Sequence, residues 1–537
     1  MDTKYIIGII AVIIIALIAG AVLMGGSSTQ RADDELVVAA YSHGGEPEAG
    51  FDPILGWNYY AEPLIQSTLL KMTRGMEYEN DLATSWEANS DFTEYTVKIK
   101  DDVKFTDNTT LDAEDVAFTY NEAKASGASL DLSTMDNATA VNKNTVKFTL
   151  NKPDSTFIDK MAYIGIVPSD SYNNETYGAN PVGSGPFKFV QWDKGQQVIL
   201  EKNPDYYGKA PEFNKLTILF EQNDAAFNAV KNHEVDVGAV PLAYANETVD
   251  GYTMFLQDTI DVRGISLPMQ NNTGATTEEG NPIGNNITAD KAIREALNYG
   301  IDRTAISEGA LNGFGYPNFD GIAHQLPWAN DDAAIEDGDV DKAKDILKKG
   351  GWEDTDGDGI VEKDGVKASF DLYYPPDYLD RQSLATVFAE QAKDLGIEVT
   401  LQGADWDTIY ENMYSSAAVM QQTSPDPYKS IYQQYHSKAP DEFYMNPGLY
   451  NNTDSDKLME EAMHANDFDQ ADSLWSQSAL VNGGGWGPAG DAPFAWLVNY
   501  DYNYFIKEGI DIGEQPDGLG NDVLINICDW TRTNSTA

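Results

Sequence analysis

The stretch from Ala368 to Gln402 most constrains what this chain can fold into. "ASFDLYYP" predicts a strand, and "RQSLATVFAEQAKDLGIEVTLQ" predicts a helix that is followed directly by a second strand. Two strands joined through a helix lie parallel in one sheet. The chain has 537 residues, and one hydrophobic core rarely grows beyond roughly 250–300 residues. We therefore expect an α/β protein with at least two lobes.

Further stretches have the period of strands or helices. Tyr95–Lys100 and Thr145–Leu150 alternate apolar and polar residues, which predicts two half-buried strands. The segment between them predicts a helix that begins after Asp112 and ends at Gly127. Phe187–Asn203 predicts two strands around a Lys-Gly turn, which is a β-hairpin. Strands and helices therefore also mix in the first half of the chain.

Beyond residue 286 the pattern changes to helices separated by short strands. "TADKAIREALNYGI" and "DRTAISEGALNG" predict consecutive helices, for which Thr288 and Asp302 are the expected capping residues. "VDKAKDILKKGG" predicts another helix, which two glycines end. This alternation favours a lobe built around a parallel sheet.

The N-terminus indicates export. Ile6–Met24 carries no charge, and a membrane span needs about 20 apolar residues, whereas the core of a signal peptide has about 7–15. We expect residues 1–26 to form an anchoring transmembrane helix, with a cleaved signal peptide as the alternative, and residues 27–35 to form a linker. Cys528 is the single cysteine, so one chain can form neither a disulfide framework nor a cysteine metal cluster.

Acidic residues dominate the charge of the chain. The sequence has 86 aspartates and glutamates against 35 lysines and arginines, which gives a net charge of −51. A surface of this kind repels nucleic acid and anionic lipid headgroups. We therefore expect no nucleic-acid partner.

The sequence lacks the common motifs of catalysis. It contains no G-x-S-x-G, H-E-x-x-H or G-x-x-x-x-G-K-[ST], and its five histidines do not pair at helical metal spacing. We therefore predict that the protein is not an enzyme and requires no cofactor. Gly56–Pro63 and Gly483–Phe505 instead place tryptophans and tyrosines beside glycines. Such rings favour a cleft for a small organic or cationic ligand, with core packing as the alternative for each ring.

One acidic loop has the first half of a calcium-binding pattern. Aspartates occupy positions one, three and five, and Gly359 fits the sharp turn of a calcium hand. Position twelve is Gly365 rather than a bidentate glutamate, and a strand is expected after the loop instead of a helix. A static calcium site completed by Glu362 or Asp364 and a metal-free Asp-Gly turn both remain open. The candidate metal ligands are Asp354, Asp356, Asp358, Ile360 and Glu362.

Several stretches in the same order resemble one protein family. These stretches are "DLATSWEANSDFTEYTVKIKDDVKFTDNTTLDAEDVAFTYNEA", "NPVGSGPFKFVQWDKGQQVILEKNPDYYGKAPEFNKLTILF", "IREALNYGIDRTAI" and "DKAKDILKKGGWEDTDGDGI". From about residue 36 to 530, the chain is similar to the large extracytoplasmic solute-binding proteins of peptide/nickel-type ABC importers, the family 5 solute-binding proteins.

This resemblance implies a two-lobed, class II periplasmic-binding-protein fold with an extra third domain, preceded here by the N-terminal helix. A ligand would lie between two lobes that close about a hinge. The implied boundaries are 36–78 for the first part of lobe I, 79–177 for the extra domain, 178–265 for the second part of lobe I, 266–490 for lobe II and 491–537 for the return to lobe I.

The resemblance also implies a set of ligand-binding residues. Thr423 stands where peptide binders of the family have an aspartate for the peptide amino group, and Tyr374 stands where dipeptide binders have an arginine for the carboxylate. Both charged anchors of a strict dipeptide binder are therefore missing, which leaves longer peptides and metal chelates open. The implied contacts are Trp57, Asn58, Tyr59, Tyr374, Met420, Gln421, Gln422, Thr423, His436 and Trp496.

The implied function is capture of a short peptide or a nickel or other metal chelate for an ABC importer, with nickel as part of the transported ligand. The implied partners are the permease subunits and their ATPases, and the protein is expected to be a monomer on the outer face of the cytoplasmic membrane. A ligand sensor without transport is the main alternative. An extracellular hydrolase is a further one.

Overall fold

The computed structural model describes residues 32–39, 46–57, 64–73, 77–127, 131–437, 446–465, 467–481, 484–515 and 523–533. The expected anchor over residues 1–26 lies outside these ranges. No helix within them is both long and apolar enough to cross a membrane. The division between compact units falls after Glu35, and the elements that follow β1 all belong to the unit that begins at Leu36.

The strands and helices follow the chain in this order. The strands are β1 (Glu35–Ala39), β2 (Leu70–Met72), β3 (Tyr78–Asn80), β4 (Ala83–Ala88), β5 (Glu94–Ile99), β6 (Met135–Asn142), β7 (Thr145–Leu150), β8 (Phe187–Asp193), β9 (Gln197–Lys202), β10 (Lys215–Leu219), β11 (Val237–Val240), β12 (Tyr252–Gln257), β13 (Val262–Ser266), β14 (Tyr316–Pro317), β15 (Glu362–Lys363), β16 (Val366–Lys367), β17 (Ser369–Tyr374), β18 (Glu398–Gly403), β19 (Ala417–Gln422), β20 (Phe494–Asn499), β21 (Tyr502–Lys507), β22 (Ile510–Asp511) and β23 (Thr531–Arg532). The helices are α1 (Ala113–Ser126), α2 (Phe157–Tyr163), α3 (Asn223–Lys231), α4 (Lys291–Gly300), α5 (Arg303–Leu311), α6 (Val340–Lys349), α7 (Leu379–Asp394), α8 (Trp406–Asn412), α9 (Gln433–Tyr435), α10 (Thr453–Met463) and α11 (Phe468–Gln477).

Sheet I has seven strands in the order β12-β21-β11-β1-β10-β9-β8. The apolar strand β1 lies in its interior and pairs in parallel with β11. The hairpin predicted over 187–203 is confirmed: β8 and β9 are antiparallel, and Gly195 in the turn has φ +74°. That angle lies in the left-handed region, which glycine adopts without steric cost.

Sheet II has six strands in the order β14-β20-β13-β19-β17-β18. The predicted strand–helix–strand unit is confirmed, because β17 pairs in parallel with β18 and α7 connects them. Successive strand residues face opposite sides of a sheet. Accordingly, Ala417 and Val419 of β19 join a core with α4 to α7, whereas Ala418 and Met420 join a core with α8, α10 and α11. Helices therefore cover both faces of sheet II.

Sheet III has four antiparallel strands in the order β4-β5-β7-β6. The predicted strands over 95–100 and 145–150 correspond to β5 and β7, which pair with each other. Helix α1 begins and ends where the sequence predicts. Asp112 accepts a hydrogen bond from the Glu114 N–H while Asp115 accepts one from the Asp112 N–H, and Gly127 follows the helix with φ +60°. This reciprocal capping fixes the first turn of α1.

The two predicted caps beyond residue 286 have different outcomes. Asp302 caps α5 as predicted, because its carboxylate accepts a hydrogen bond from the Ala305 N–H at 2.8 Å. The prediction for Thr288 is wrong, since Asp290 caps α4. The Thr288 hydroxyl instead donates to the Pro268 carbonyl at 2.7 Å. The Thr288 side chain therefore makes a tertiary hydrogen bond instead of the helix cap that its local sequence predicts.

Candidate ligand-binding site

Three parallel strands of sheet II end at one edge of the sheet. β17 pairs in parallel with β18 and with β19, and these strands end at Tyr374, Gly403 and Gln422. In α/β sheets, ligands bind beyond the carboxyl ends of such strands, where loops leave for helices. Helices α7 and α8 begin just after β17 and β18. We call this region the carboxyl edge.

Arg381 lies in the first turn of α7, at the carboxyl edge. Its side chain is buried and donates hydrogen bonds to the side-chain oxygen of Gln421 and, at 3.4 Å, to the carbonyl of Val419. The guanidinium carbon lies 5.0 Å from the ring centroid of Trp406 and 5.5 Å from that of Tyr378. Contacts with aromatic faces and fixed acceptors hold this cation in one orientation.

The aromatic rings near Arg381 reach solvent. Trp406 stacks on Tyr410 with a centroid separation of 5.7 Å. Tyr378 and Tyr410 are 39% and 43% exposed, which is unusual for large apolar side chains in this protein. Exposed aromatic faces beside a buried cation suit an organic ligand that carries an anionic group.

Arg381 forms no ion pair with a carboxylate among the described residues. Its Nε atom is buried and donates no hydrogen bond there. Burial, and next the neighbouring Arg263, lower the pKa of the Arg381 guanidinium to about 10, against the opposing field of Asp261. Arg263, in contrast, pairs with Asp261 at 3.0 Å and lies 3.3 Å from the ring centroid of Tyr500. Because a buried cation without an ion pair is costly, the site favours an incoming anionic group.

Two segments connect sheet I to sheet II, and they run side by side. Residues 258–261 join β12 to β13, and residues 500–501 join β20 to β21. The Thr259 hydroxyl donates to the Tyr500 carbonyl at 2.6 Å, and the Tyr500 N–H donates to the Asp261 carbonyl at 2.7 Å. We call these the hinge segments, because paired crossings between two sheets can absorb a rigid-body rotation.

The hinge segments contact the carboxyl edge, and one of them contains the buried carboxyl group of Asp501. The Tyr500 hydroxyl donates to Asp380, the residue that precedes Arg381. Asp501 is buried, and this burial, with the nearby charge of Asp258, raises the pKa of its carboxyl to about 7. The hinge therefore holds a carboxyl group that titrates near neutral pH.

The loop after β19 is fixed by buried polar contacts. The Ser424 N–H donates to the Gln422 side chain at 3.0 Å. The buried ammonium of Lys160, on α2, donates to Asp426 at 2.9 Å. The half-buried Thr423 lies between Gln422 and Ser424 along the chain. Contacts on both sides of Thr423 therefore limit the conformations that this part of the carboxyl edge can adopt.

Four predicted ligand contacts lie at the carboxyl edge: Tyr374, Gln421, Gln422 and Thr423. The structure brings Gln421 to Arg381 directly, since the two side chains are hydrogen-bonded. Sequence reasoning did not single out Arg381 or Trp406. The scarcity of arginine, with seven in the chain, is the one signal that favours Arg381.

Three other predicted contacts, Trp57, Met420 and Trp496, lie in packed cores. Trp57 is 5% exposed and meets Phe51 edge to face, with centroids 4.7 Å apart. Met420 and Trp496 belong to one core of sheet II, where the Trp496 Nε1–H donates to the Tyr435 hydroxyl at 2.9 Å. The surroundings of Trp57 and Trp496 match the core-packing alternative considered for these rings.

The remaining predicted contacts do not join this group. His436 is buried, stacks on Tyr432 with centroids 4.2 Å apart, and has its Nε2 atom 3.4 Å from Glu460. Asn58 and Tyr59 lie outside the described residues. The contacts of His436 therefore indicate a packing role.

The acidic loop is a separate place where a metal ion could be held. Asp354, Asp356, Asp358 and Glu362 each bring one carboxylate oxygen within 4.8 Å of the others. Ile360 lies in the same loop, and its N–H donates to Asp358 at 3.0 Å. Carboxylate oxygens are ligands for hard cations such as calcium and magnesium.

Comparison with known proteins identifies relatives along most of the chain. The family model for bacterial extracellular solute-binding proteins, family 5 middle, matches residues 77–489. The chain is 30% identical over 442 residues to oligopeptide-binding protein AppA of Bacillus subtilis, covering 78% of each chain. It is 28% identical over 494 residues to Protein XP55 of Streptomyces lividans, covering 89% of this chain and 86% of that protein.

Solved structures share the fold. The Bacillus subtilis AppA structure in complex with a nonapeptide matches with a TM-score of 0.73 at 25% identity, covering 93% of this chain and 99% of that one. NikA of Brucella suis in complex with Fe(III)-EDTA matches with a TM-score of 0.79 at 19% identity, covering 93% and 100%. This α/β chain with the two-lobed periplasmic-binding-protein fold belongs to family 5 of the bacterial extracellular solute-binding proteins.

Proposed function

We propose that this protein captures an organic solute with a carboxylate group at the carboxyl edge and delivers it to an ABC importer. The observation that carries this proposal is the setting of Arg381. Its guanidinium is buried, lacks an ion pair with any described carboxylate, and lies beside the half-buried Trp406 and the exposed Tyr378 where three parallel strands end. A carboxylate would complete the hydrogen bonding of this cation in a fork-to-fork geometry.

Two ligand classes fit this chemistry. The relative AppA was solved with a nonapeptide and NikA with Fe(III)-EDTA, and both of these ligands carry carboxylates. Thr423 supplies no negative charge for a peptide amino group, which favours ligands that are anionic overall or peptides that are held through their main chain. A short peptide and a nickel or other metal chelate are therefore the candidates to be compared.

Delivery would follow from closure of the two lobes around the ligand. Sheet I and sheet II form the lobes, sheet III forms the extra domain, and the hinge segments carry the rotation. A ligand that touches both lobes favours the closed state because it has its full contacts only there. The partners are the permease subunits with their ATPases. The protein acts as an extracytoplasmic monomer that is either anchored by residues 1–26 or released by cleavage.

The first experiment identifies the ligand. Mass spectrometry of solute that copurifies with the full chain, together with metal analysis, separates the two classes. A set of peptides without stoichiometric metal supports the peptide. Stoichiometric nickel or iron with a small organic acid supports the chelate. A copurified ligand that has no carboxylate in any form contradicts the proposed site.

The second experiment tests Arg381 directly. Arg381→Gln should lower affinity for the identified ligand by about 10–100-fold, because a hydrogen bond to a charged group contributes roughly 1.5–3 kcal/mol. Amidating the ligand carboxylate should weaken binding to the wild type but not to Arg381→Gln. Lys393→Gln, at the exposed far end of the same helix, is the matched control and should bind as the wild type does. Equal loss on amidation in wild type and Arg381→Gln would refute the assignment.

A further inference from the structure

The acidic loop belongs to neither the carboxyl edge nor the hinge segments. It connects α6 to β15, and its two ends are tied together, since Glu353 and Glu362 exchange main-chain hydrogen bonds of 3.0 and 2.9 Å. Next to this pair, the Val361 N–H donates to the Gly396 carbonyl at 2.9 Å, just after α7. The loop is thus anchored to the helices that pack on sheet II.

The loop turns so that its acidic side chains converge. Gly357 and Gly359 have φ of +82° and +94°, and these left-handed angles let the chain fold back on itself. As a result, the carboxylates of Asp354, Asp356 and Asp358 share one small volume with that of Glu362 at the start of β15, and their oxygens lie within 4.8 Å of one another. Carboxylates at such separations repel one another unless a cation lies between them.

Glu362 provides an independent sign that this cluster has unused capacity to bind a cation. The residue is 8% exposed, although glutamate is seldom buried without a partner. Its Oε2 atom accepts hydrogen bonds from the N–H and the hydroxyl of Thr355, at 2.9 and 3.1 Å. Its Oε1 atom is buried and accepts none. A buried carboxylate oxygen with no donor is costly, and a bound cation would satisfy it.

Lys367 on β16 is the cation that now faces part of the cluster. Its ammonium lies 3.2 Å from Asp356 and is hydrogen-bonded to Asp358, but its side chain is 42% exposed. Exposed ion pairs contribute only about 0–1 kcal/mol. Lys367 also makes no hydrogen bond to Glu362 among the described contacts. One exposed ammonium therefore leaves the buried end of the cluster unsatisfied and can be displaced by a divalent ion.

We propose that the acidic loop binds one calcium ion through the carboxylates of Asp354, Asp356, Asp358 and Glu362. Oxygen-only donors select hard cations over nickel. A set of several direct protein carboxylates fits calcium, because magnesium demands near-ideal octahedral geometry and keeps several waters. The ion would hold the connection between α6 and β15 against the end of α7, which stabilises sheet II independently of the transported ligand.

Calorimetric titration of the full chain with calcium chloride tests the proposal. We expect one ion per chain with a dissociation constant of about 10⁻⁴–10⁻³ M, the range of extracellular calcium modules. Glu362→Gln should weaken binding by at least ~10-fold, which is what the loss of even a supporting partner costs at metal sites. Asp364→Asn is the matched control, because Asp364 is exposed and outside the cluster, and it should titrate as the wild type does.

Two further variants keep the test decisive. Asp356→Asn changes an exposed ligand and should also weaken calcium binding. It therefore provides a second test if Glu362→Gln unfolds. Lys367→Ala removes the competing ammonium and should tighten calcium binding. The melting temperature should rise with calcium in the wild type and in Asp364→Asn, and fall back when a chelator is added. No binding heat, an equal response to magnesium chloride, or unchanged binding by both Glu362→Gln and Asp356→Asn would overturn the proposal.

Discussion

Arg303 and Arg381 are both buried arginines, but their surroundings differ. Arg303 is 0% exposed and is fully engaged, since it donates to the carbonyls of Asn318 and Trp496 and pairs with Asp337 at 3.0 Å. Arg381 keeps a buried N–H without a partner among the described residues. The first arginine therefore holds the fold together, whereas the second has capacity left for a ligand.

The difference between these arginines predicts a stability effect. Arg303→Met should lower the free energy of unfolding by about 3–5 kcal/mol, because it leaves buried acceptors and Asp337 without their partner. Urea unfolding of the wild type and the variant measures this change. Lys291→Met is the control, since the Lys291 side chain is 46% exposed and its ion pairs contribute little. Equal stability of Arg303→Met and wild type would show that the network contributes nothing.

Asp501 predicts a dependence of stability on pH. Burial and Asp258 raise the pKa of its carboxyl from 3.8 to about 7 in the folded protein. Folding therefore favours the protonated form, so its stabilising contribution is complete below about pH 4 and is lost as the pH rises through about 7. Asp501→Asn should be more stable than the wild type by about 2–4 kcal/mol at pH 8, since each pKa unit corresponds to about 1.4 kcal/mol.

Urea unfolding of Asp501→Asn and wild type at about pH 4 and about pH 8 checks the sign. The two proteins should have similar stability at the lower pH and diverge at the higher one. Asp364→Asn, at an exposed position, should show no such divergence. A constant difference at both pH values would mean that the carboxyl group is ionised equally in the folded and unfolded chains.

Residue-scale predictions from the sequence succeed where the partner is local. Asp112 and Asp302 cap their helices because the N–H groups they bind are two or three residues away. Thr288 does not, because its partner, the Pro268 carbonyl, is twenty residues distant in the chain. Trp496 shows the same limit: glycines near an aromatic ring can mean an open cleft or close packing, and only the fold distinguishes them.

At the scale of elements, close packing at the centre of sheet II requires a glycine at position 264. β13 lies between β19 and β20, and a Cβ atom on its Gly264 would come within 2.7 Å of the Trp496 Cα atom and 2.8 Å of the Ala495 carbonyl oxygen. Gly264→Ala should therefore destabilise the protein by about 1–3 kcal/mol, the usual cost of overpacking. Urea unfolding measures the change.

Gly309 is a matched control within the same lobe. It lies in α5, where an added Cβ would meet nothing nearer than a Val387 methyl at 3.7 Å. Gly309→Ala should stabilise the protein by about 0.5–1 kcal/mol, because alanine has the higher helix propensity. Opposite signs for the two glycine substitutions are expected, and a shared sign would contradict the steric argument for β13.

The elements can be predicted from the sequence, whereas the sequence predicts only some of the residues at the carboxyl edge. The spacing of apolar residues that indicates β5, β7, β17 and α7 lies within each segment, and the sequence predicts each element near its observed position. The carboxyl edge exists only because β19 pairs with β17 across more than forty residues of chain. That pairing brings Gln421 to Arg381, and no local period in either segment predicts such a contact.

At the scale of the whole molecule, the net charge of −51 sets a salt dependence. Like charges repel more in the compact state than in the expanded chain. Raising the ionic strength from about 0.01 to about 0.15 M shortens the screening length from about 30 to about 8 Å. The melting temperature should therefore rise over this range of sodium chloride, measured with a chelator present to exclude divalent ions.

Potassium chloride should give the same rise as sodium chloride, because screening depends on ionic strength alone. A flat or falling melting temperature would show that acidic repulsion is already balanced in the folded state. A rise with one of the two salts only would indicate specific ion binding instead of screening.

The way the chain crosses between its sheets determines which part of it can be exchanged as one block. Gln257 pairs with Tyr502 at the end of sheet I, and Val262 pairs with Asn499 at the start of sheet II. All of sheet II is thus an insertion between two strands that are already neighbours, and a turn of about 2–5 residues would close the gap as an ordinary hairpin. Exchange of residues 258–501 as one block would therefore leave the pairing of β12 with β21 in sheet I untouched.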